Sequence, residues 1–498
     1  MTEKQTPVRV RFAPSPTGRM HLGSARTALY DFLIAKKTGG QFILRIEDTD
    51  RKRYVENAEQ ELIDGMHWLG MDWDEGPDKG GPYGPYRQSE RKEIYLEYGR
   101  KLIDSGHAYY CFCSSDRLDQ VRKEKQAHKE SPHYDGFCRN IPLADSKARV
   151  LNGESHVLRF KSPTTGYTTV KDHLRGEITV DNATLDDYIL IKSDGWALYH
   201  LAAIVDDYLM RITHVLRSSE WLPSLPLHAL IWRAFGWQEP IWVHLSVFLK
   251  PSGKGKMSKR EAADLNKDGY SIFVKDLDGL GYLPEAVVNW SALMGWSYDD
   301  RTELFTLNDL CNKFSLERLN PAPAAVNFAK LDYFNKEHIK KLSHKQLAER
   351  ILPFFKEKGI TTHFEMLEQI APYIKERMTT LDDAVDFCAF LFRDEIVYDQ
   401  QRLVISDMSP EDARRSGEEV LSVLKEIDEW NGASMETVLQ RYLDQRKLTP
   451  KQIYSFLREA ISGQQVTPPL FESMEVLGKE RTIKRIENAV QILTNFSN

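Results

Sequence analysis

Residues 8–50 run VRVRF, APSPTGRMHLGS, ARTALYDFLIAKKTGG and QFILRIEDTD without interruption. The alternation in VRVRF predicts a strand. The Pro/Gly-rich turn after it leads into a helical apolar spacing closed by two glycines, and QFILRIEDTD predicts a second strand with carboxylates at its C-terminal end. Strand–turn–helix–strand at the head of a long chain is the pattern of a doubly wound α/β nucleotide fold. Ligands of such folds collect beyond the carboxyl ends of the strands. His21-Leu22-Gly23-Ser24, Glu47 and Asp48 all fall at that edge. A helix that starts on small residues lets a nucleotide approach its exposed N–H groups, which favour phosphate.

The remainder extends this beginning. At 498 residues the chain exceeds a single core. Residues 1–105 read as the first half of a Rossmann-type catalytic domain and 189–245 as its second half. Between them, 106–188 read as an inserted α/β subdomain of short irregular pieces. A KMSKR loop and connecting helical segment fill 246–325, where NPAPAA at 320–325 is the best hinge candidate. Amphipathic helical spacing, as in HKQLAERILPFFKEK and PKQIYSFLREAI, predicts an all-helical region over 326–498.

The longest apolar run, IWVHLSVFL, is too short to cross a bilayer. The first residues carry no apolar or Arg/Ser-rich leader pattern, and five cysteines make no disulfide framework. A cytoplasmic protein is therefore expected. A net charge of −6 argues against indiscriminate polyanion binding, so any nucleic-acid partner must be met by local basic surface.

Against that charge, Lys256-Met257-Ser258-Lys259-Arg260 places three cations in five positions. Lysines on such a loop can neutralise departing pyrophosphate, while an imidazole at a helix mouth stabilises the phosphate being displaced. His21 with Lys256 and Lys259 thus suits adenylyl transfer, in which a carboxylate attacks the α-phosphate of ATP. That chemistry needs no enzyme nucleophile. The turn residues Pro14, Thr17 and Gly18 join His21, Gly23 and residues Lys256 to Arg260 in the expected ATP site.

RFAPSPTGRMHLGSARTALYDFL, LRIEDTD, YHLAAIVDDYLMRITHVLRSSEWL and KMSKR resemble the bacterial-type glutamyl-tRNA synthetases, a class I aminoacyl-tRNA synthetase family. The resemblance runs from residue 8 to about 335 and continues more weakly through the helical C-terminus; PSPTG before the HIGH-type motif is specific to the glutamate/glutamine branch. It implies ATP-dependent ligation of L-glutamate to tRNA(Glu) through glutamyl-adenylate, with Mg²⁺ carried by the nucleotide. It also implies an acceptor-end-binding insert, a helical anticodon-binding region and a monomer. A pocket for glutamate should offer two guanidiniums and one acid. The resemblance assigns these to Arg11, Arg217 and Glu47, with Ala13, Ser15 and Tyr199 completing the wall. Arg217 is expected just after the strand RITHVL. Ala203 stands where many relatives have Asn, which removes one side-chain amide from the pocket. Asp206 and Asp207 read as paired acids at a strand end rather than as Mg²⁺ ligands.

The truncated relative that modifies a tRNA nucleoside lacks the helical module and often the intact loop, both present here. Glutaminyl relatives typically end in β-barrels.

Two readings stand for the cysteines of the insert. Cys111-x-Cys113 opens a zinc-like pattern. Some family members complete such a site with a Tyr-x3-Cys pair, a spacing kept by Tyr134 and Cys138, whereas others use a His where Asn140 stands. The alternative is unmetallated thiols. The segment 117–130 carries five Lys/Arg against three acids, which reads as a solvated helix face that can meet acceptor-end phosphates.

Overall fold

The computed structural model describes residues 7–50, 53, 55–257, 265, 267, 269–405 and 407–496. Contacts divide the chain into two units, Met1–Leu277 with Val287–Phe328, and Asp278–Ala286 with Ala329–Asn498.

The first unit begins with β1 (Arg9–Phe12), α1 (Leu22–Thr38) and β2 (Gln41–Leu44). β1 and β2 pair in parallel from Arg9 opposite Gln41 to Phe12 opposite Leu44, so α1 is the crossover helix. Gly39, at φ 63°, closes α1 in the left-handed conformation that a glycine adopts without steric cost. β2 is shorter than the ten residues its sequence suggested. Its partner ends at Phe12, and the prolines at 14 and 16 offer no N–H to extend the ladder. Beyond the ladder, Arg45 N–H still donates to the Phe12 carbonyl (3.0 Å), and Glu47 N–H to that of Pro14 (2.9 Å). These bonds tie the Pro/Gly turn to the end of β2.

Next come α2 (Ala58–Trp68), α3 (Lys92–Asp104), β3 (Ala108–Cys111), α4 (Ser115–Ala127), α5 (Leu143–Leu151), β4 (Val157–Phe160), β5 (Tyr167–Asp172), β6 (Gly176–Asp181) and β7 (Ile189–Ile191). The basic α4 buries none of its residues and is a solvated face, as its composition suggested. β3, β4 and β7 form one antiparallel sheet. The β5–β6 hairpin instead joins a four-stranded sheet in the order β6-β5-β9-β8.

β8 (His214–Ser218) and β9 (Ile241–Leu245) flank α7 (Leu225–Ala234) and pair in parallel, preceded by α6 (Tyr199–Leu209). Thr213 N–H, just before β8, donates to the Arg9 carbonyl at 2.9 Å, which sets β8 beside β1. Short strands β10 (Phe248–Leu249) and β11 (Ala324–Ala325) then pair in parallel, so the NPAPAA segment is part of a strand pair.

Two expectations are corrected. Arg217 lies inside β8. Asp206 and Asp207 belong to helix α6, both buried, and not to a strand end. The apolar run LAAIV before them fits a strand or a wholly buried helix equally well, and the helix is what forms.

The second unit is helical, with helices that include His344–Glu357, Phe364–Ile374, Pro410–Lys425, Gly432–Arg446, Pro450–Ser462 and Lys479–Phe496. In Pro450–Ser462 the buried Ile453, Phe456, Leu457, Ala460 and Ile461 repeat at the three-and-four spacing of one helix face. Thr449 and Gln452 cap its start as a capping box. No helix among the described residues is long and apolar enough to cross a membrane.

Candidate active site

The carboxyl ends of β1, β2 and β8 meet the amino ends of α1 and α6, and the sequence-selected side chains collect there. His21 caps α1. Its Nδ1 accepts the backbone N–H groups of Gly23 (3.0 Å) and Ser24 (3.3 Å). A ring nitrogen that accepts cannot carry the proton, so the neutral imidazole holds it on Nε2, 3.2 Å from Ser24 Oγ. The ring is thereby oriented as a donor at a helix mouth. Gly23 is required beside it, because a Cβ there would stand 2.9 Å from His21 Cε1.

The segment that follows the KMSKR loop lies against this mouth. Leu22 N–H donates to the Ile272 carbonyl (2.8 Å) and Val274 N–H to that of Met20 (3.1 Å). At the start of the loop, Met257 N–H donates to the Phe248 carbonyl (2.8 Å), and the half-exposed Lys256 ammonium pairs with Glu220. Ser258, Lys259 and Arg260 lie outside the described residues. Pro14, Thr17 and Gly18 are half-buried along the turn before His21.

The three charged residues assigned to the amino-acid pocket are all buried, with Arg11, Glu47 and Arg217 at 5, 8 and 6% exposure. Tyr199 and Ala13 are half-buried and Ser15 is exposed. Ala203 is buried on α6. The two guanidiniums have different surroundings. Arg11 Nε donates to Asp207 Oδ1 (2.9 Å) and its Nη1 to the Leu216 carbonyl (3.2 Å). Arg45, fully buried, bridges Asp207 (2.7 Å) and Glu47 (3.0 Å). Asp206 in turn accepts from Arg91 (2.7 Å), Gln88 (3.0 Å) and the Tyr95 hydroxyl (2.8 Å). Burial pushes the Asp207 carboxyl up, but Arg11 and Arg45 outweigh it and hold it below the usual carboxylate range. For Glu47 burial prevails over Arg45, and its pKa rises.

Among the described residues, Arg217 touches no carboxylate. Its Nε donates to His244 Nε2 (2.9 Å), and its Nη1 to His228 Nδ1 (2.9 Å) and the Tyr199 hydroxyl (3.2 Å). Its Nη2 is buried with no hydrogen-bond partner among the described residues. A buried donor left unmade costs about 1–3 kcal/mol, more on a charged group. The chain therefore holds a cation here whose remaining valence only an added acceptor satisfies.

The matches to known proteins agree with this geometry. Residues 7–333 match the family of class I tRNA synthetases (E and Q), catalytic domain. The chain belongs to that family. Residues 346–490 match an anticodon binding domain. Curated relatives include a glutamate–tRNA ligase of Dehalococcoides mccartyi, 44% identical over 98% of this chain and 99% of that protein. One from Herpetosiphon aurantiacus is 40% identical over the whole of both. A solved glutamate tRNA ligase from Elizabethkingia meningosepticum, in complex with its amino acid, superposes at a TM-score of 0.89, with 36% identity, covering 98% of this chain and 99% of that one.

In the insert, the sulfurs of Cys111, Cys113 and Cys138 lie within 4.8 Å of one another. The Tyr134 hydroxyl is 3.4 Å from the sulfurs of Cys111 and Cys113, and Cys113 and Cys138 are 3.6 Å apart. Tetrahedral zinc with bonds of about 2.3 Å sets its sulfurs about 3.8 Å apart, so this donor set fits the ion. Arg159 lies over the Tyr134 ring at 4.1 Å. Burial raises the Cys111 thiol, but hydrogen bonding with Tyr134, the Cys113 backbone and Arg159 brings it down overall. The other two cysteines are structural. Cys388 is buried in its helix, with its thiol donating to the Ala384 carbonyl, and Cys311 is half-buried.

Sequence reasoning missed Arg45, Arg91, Asp172, His228 and His244. Arg45 and His244 did carry a signal, each being a polar residue inside an apolar strand run, QFILRI and IWVHLSVFL. His228 carried a like signal in the apolar run LPLHALIW, and Arg91 and Asp172 had none.

Proposed function

We propose that the chain ligates L-glutamate to tRNA(Glu) in two steps, with Arg217 receiving a carboxylate of the amino acid. The observation that carries this reading is the buried Arg217 Nη2, a donor with no partner among the described residues, on a guanidinium that none of their carboxylates meets. Arg11 serves the same ligand from the neighbouring strand β1, and Glu47 meets its ammonium. Ser15, Ala13 and Tyr199 line the wall. Glutamine offers an amide NH₂ where glutamate offers acceptors only, so a donor-only guanidinium favours the acid.

In the first step the α-carboxylate attacks the α-phosphate of ATP, and pyrophosphate leaves. The Nε2–H of His21 donates to the phosphate oxygens as charge builds, at the positive end of the α1 dipole. Lys256 exchanges Glu220 for the leaving phosphates, and the family motif assigns Met257, Ser258, Lys259 and Arg260 to the same ATP. In the second step the acceptor adenosine hydroxyl attacks the activated carbonyl and releases AMP. Mg²⁺ comes with the triphosphate. The oxygens of Asp206 and Asp207 are already taken by Arg11, Arg45, Arg91, Gln88 and Tyr95 and are not its ligands. The insert meets the acceptor end and the helical unit the anticodon. A cytoplasmic monomer is part of this reading, as the family resemblance implies.

Aminoacylation of purified tRNA(Glu) and tRNA(Gln) side by side, with ATP and Mg²⁺, tests the reading. Charging of tRNA(Glu) with glutamate is expected, with Lys256→Ala lowering the rate by about 10²-fold. Preferential use of glutamine as the amino acid would overturn it.

Cys111, Cys113, Tyr134 and Cys138 would hold one zinc ion, which supplies a cross-link to a segment with a small core of its own. Untagged protein should carry about one equivalent, lost in the double variant Cys113→Ser, Cys138→Ser. Clearly less than one equivalent in the unaltered protein counts against the ion.

A further inference from the structure

Five side chains from five elements form one line through the glutamate site, buried from Asp172 to His228 and ending on the half-buried His200. Asp172 ends β5, His244 stands in β9, Arg217 in β8 and His228 in α7, and His200 follows at the start of α6. Asp172 Oδ2 lies 2.7 Å from His244 Nδ1, and His228 Nε2 lies 3.0 Å from His200 Nδ1. The links at Arg217 are 2.9 Å on both sides.

The directions of these bonds are forced. A guanidinium only donates, so His244 Nε2 and His228 Nδ1 must accept, and both rings must be neutral. His244 then carries its proton on Nδ1, where Asp172 receives it. His228 carries its own on Nε2 and donates to His200. The two histidines therefore face Arg217 through different ring nitrogens.

We propose that His244 and His228 are positioning residues for glutamate recognition. As neutral acceptors with tautomers fixed by Asp172 and His200, they lock the Arg217 guanidinium so that its unpartnered Nη2 meets the ligand carboxylate. The inference rests on the reading of Arg217 as that carboxylate's partner. An aspartate or glutamate in place of either ring would hold the guanidinium as firmly, but it would compete with the substrate for the same cation. A neutral acceptor orients the group and leaves its charge to the ligand. Asp172 achieves this at one remove, with its Oδ1 held by the N–H groups of Leu174 and Arg175.

The surroundings keep the rings neutral. Burial, then the charge of Arg217, hold His228 well below its ordinary value and bring His200 down to about 4. For His244, burial and Arg217 outweigh the upward pull of Asp172, and Arg175 adds to the lowering.

The test uses a crossed pair of substitutions. A Gln amide reaches about as far as His Nε2, and an Asn amide about as far as Nδ1. His244→Gln therefore keeps an acceptor for Arg217 and His244→Asn does not; at position 228 the order reverses. We expect the KM for glutamate to rise about tenfold or more in His244→Asn and His228→Gln, and by less than about threefold in His244→Gln and His228→Asn. The KM for ATP stays unchanged in all four. Packing alone would give no such crossing, since all four variants carry polar side chains of similar size. Equal rises within each pair, or no rise in any variant, would overturn the inference. If Arg217→Met also leaves the glutamate KM unchanged, the reading of the pocket itself is lost. If Arg217→Met raises it and the four variants do not cross, only the positioning role fails.

Discussion

Replacement of Arg217 by Met is expected to lower kcat/KM for glutamate by about 10³-fold while leaving thermal stability unchanged or slightly raised. The two effects have one origin. Charge-assisted hydrogen bonds to a carboxylate contribute about 1.5–3 kcal/mol each, and a guanidinium can make two, so a loss of about 4 kcal/mol at the transition state is reasonable. In most buried ion pairs, removal of the cation strands an acid and unfolds the protein. Here the partners are the neutral His244 and His228 and the Tyr199 hydroxyl, and burial already holds the Arg217 pKa below its ordinary value. Met fills a similar volume without an unsatisfied charge. Discrimination against glutamine should also collapse, because the donor-only group that disfavours an amide NH₂ is gone. Steady-state aminoacylation with each amino acid, beside a melting curve, reads both quantities. A variant that loses stability in step with activity would show that Arg217 serves the fold rather than the ligand.

The fold was legible from a few local patterns. Alternation in VRVRF, the glycines after α1 and the three-and-four spacing of the C-terminal helices each describe structure set by near neighbours, which a sequence displays. The ends of the site were legible for the same reason, since HLGS caps its own helix through atoms two and three residues away. What holds the site together was not. Asp172, Arg217, His228 and His244 meet across four elements, and no spacing in the chain records that meeting. Asp206 and Asp207 show the limit well. As two adjacent acids after an apolar run they suggest an exposed terminus, because unpaired carboxylates are expensive to bury. Their partners Arg11, Arg45 and Arg91 lie more than a hundred residues upstream, and only the folded chain reveals that the charges are met.

That buried network should dominate stability. Asp207→Ala leaves Arg11 and Arg45 in the interior without their shared carboxylate, and breaking such a pair from one side costs about 3–5 kcal/mol. Asp207→Asn gives a cleaner measurement, since it keeps the shape and removes only the charge. Its destabilisation should depend on pH in a defined direction. The folded pKa of Asp207 lies below the ordinary value, so the stability that its ionisation contributes is complete above about pH 5, where the unfolded carboxyl is charged as well. As pH falls through about 3.9 the unfolded chain takes up a proton first, and the contribution is lost progressively down to the folded value. Glu47 acts with the opposite sign. Its raised pKa makes ionisation a cost that appears above about pH 4.3, and it is present in both proteins. The difference in unfolding free energy between the unaltered chain and Asp207→Asn therefore isolates the network. It should stand at its full value near neutrality and shrink as the solution is acidified below pH 4. A difference that stays constant across that range would mean that Asp207 contributes through shape alone, and the guanidiniums of Arg11 and Arg45 would then be held by something other than its charge.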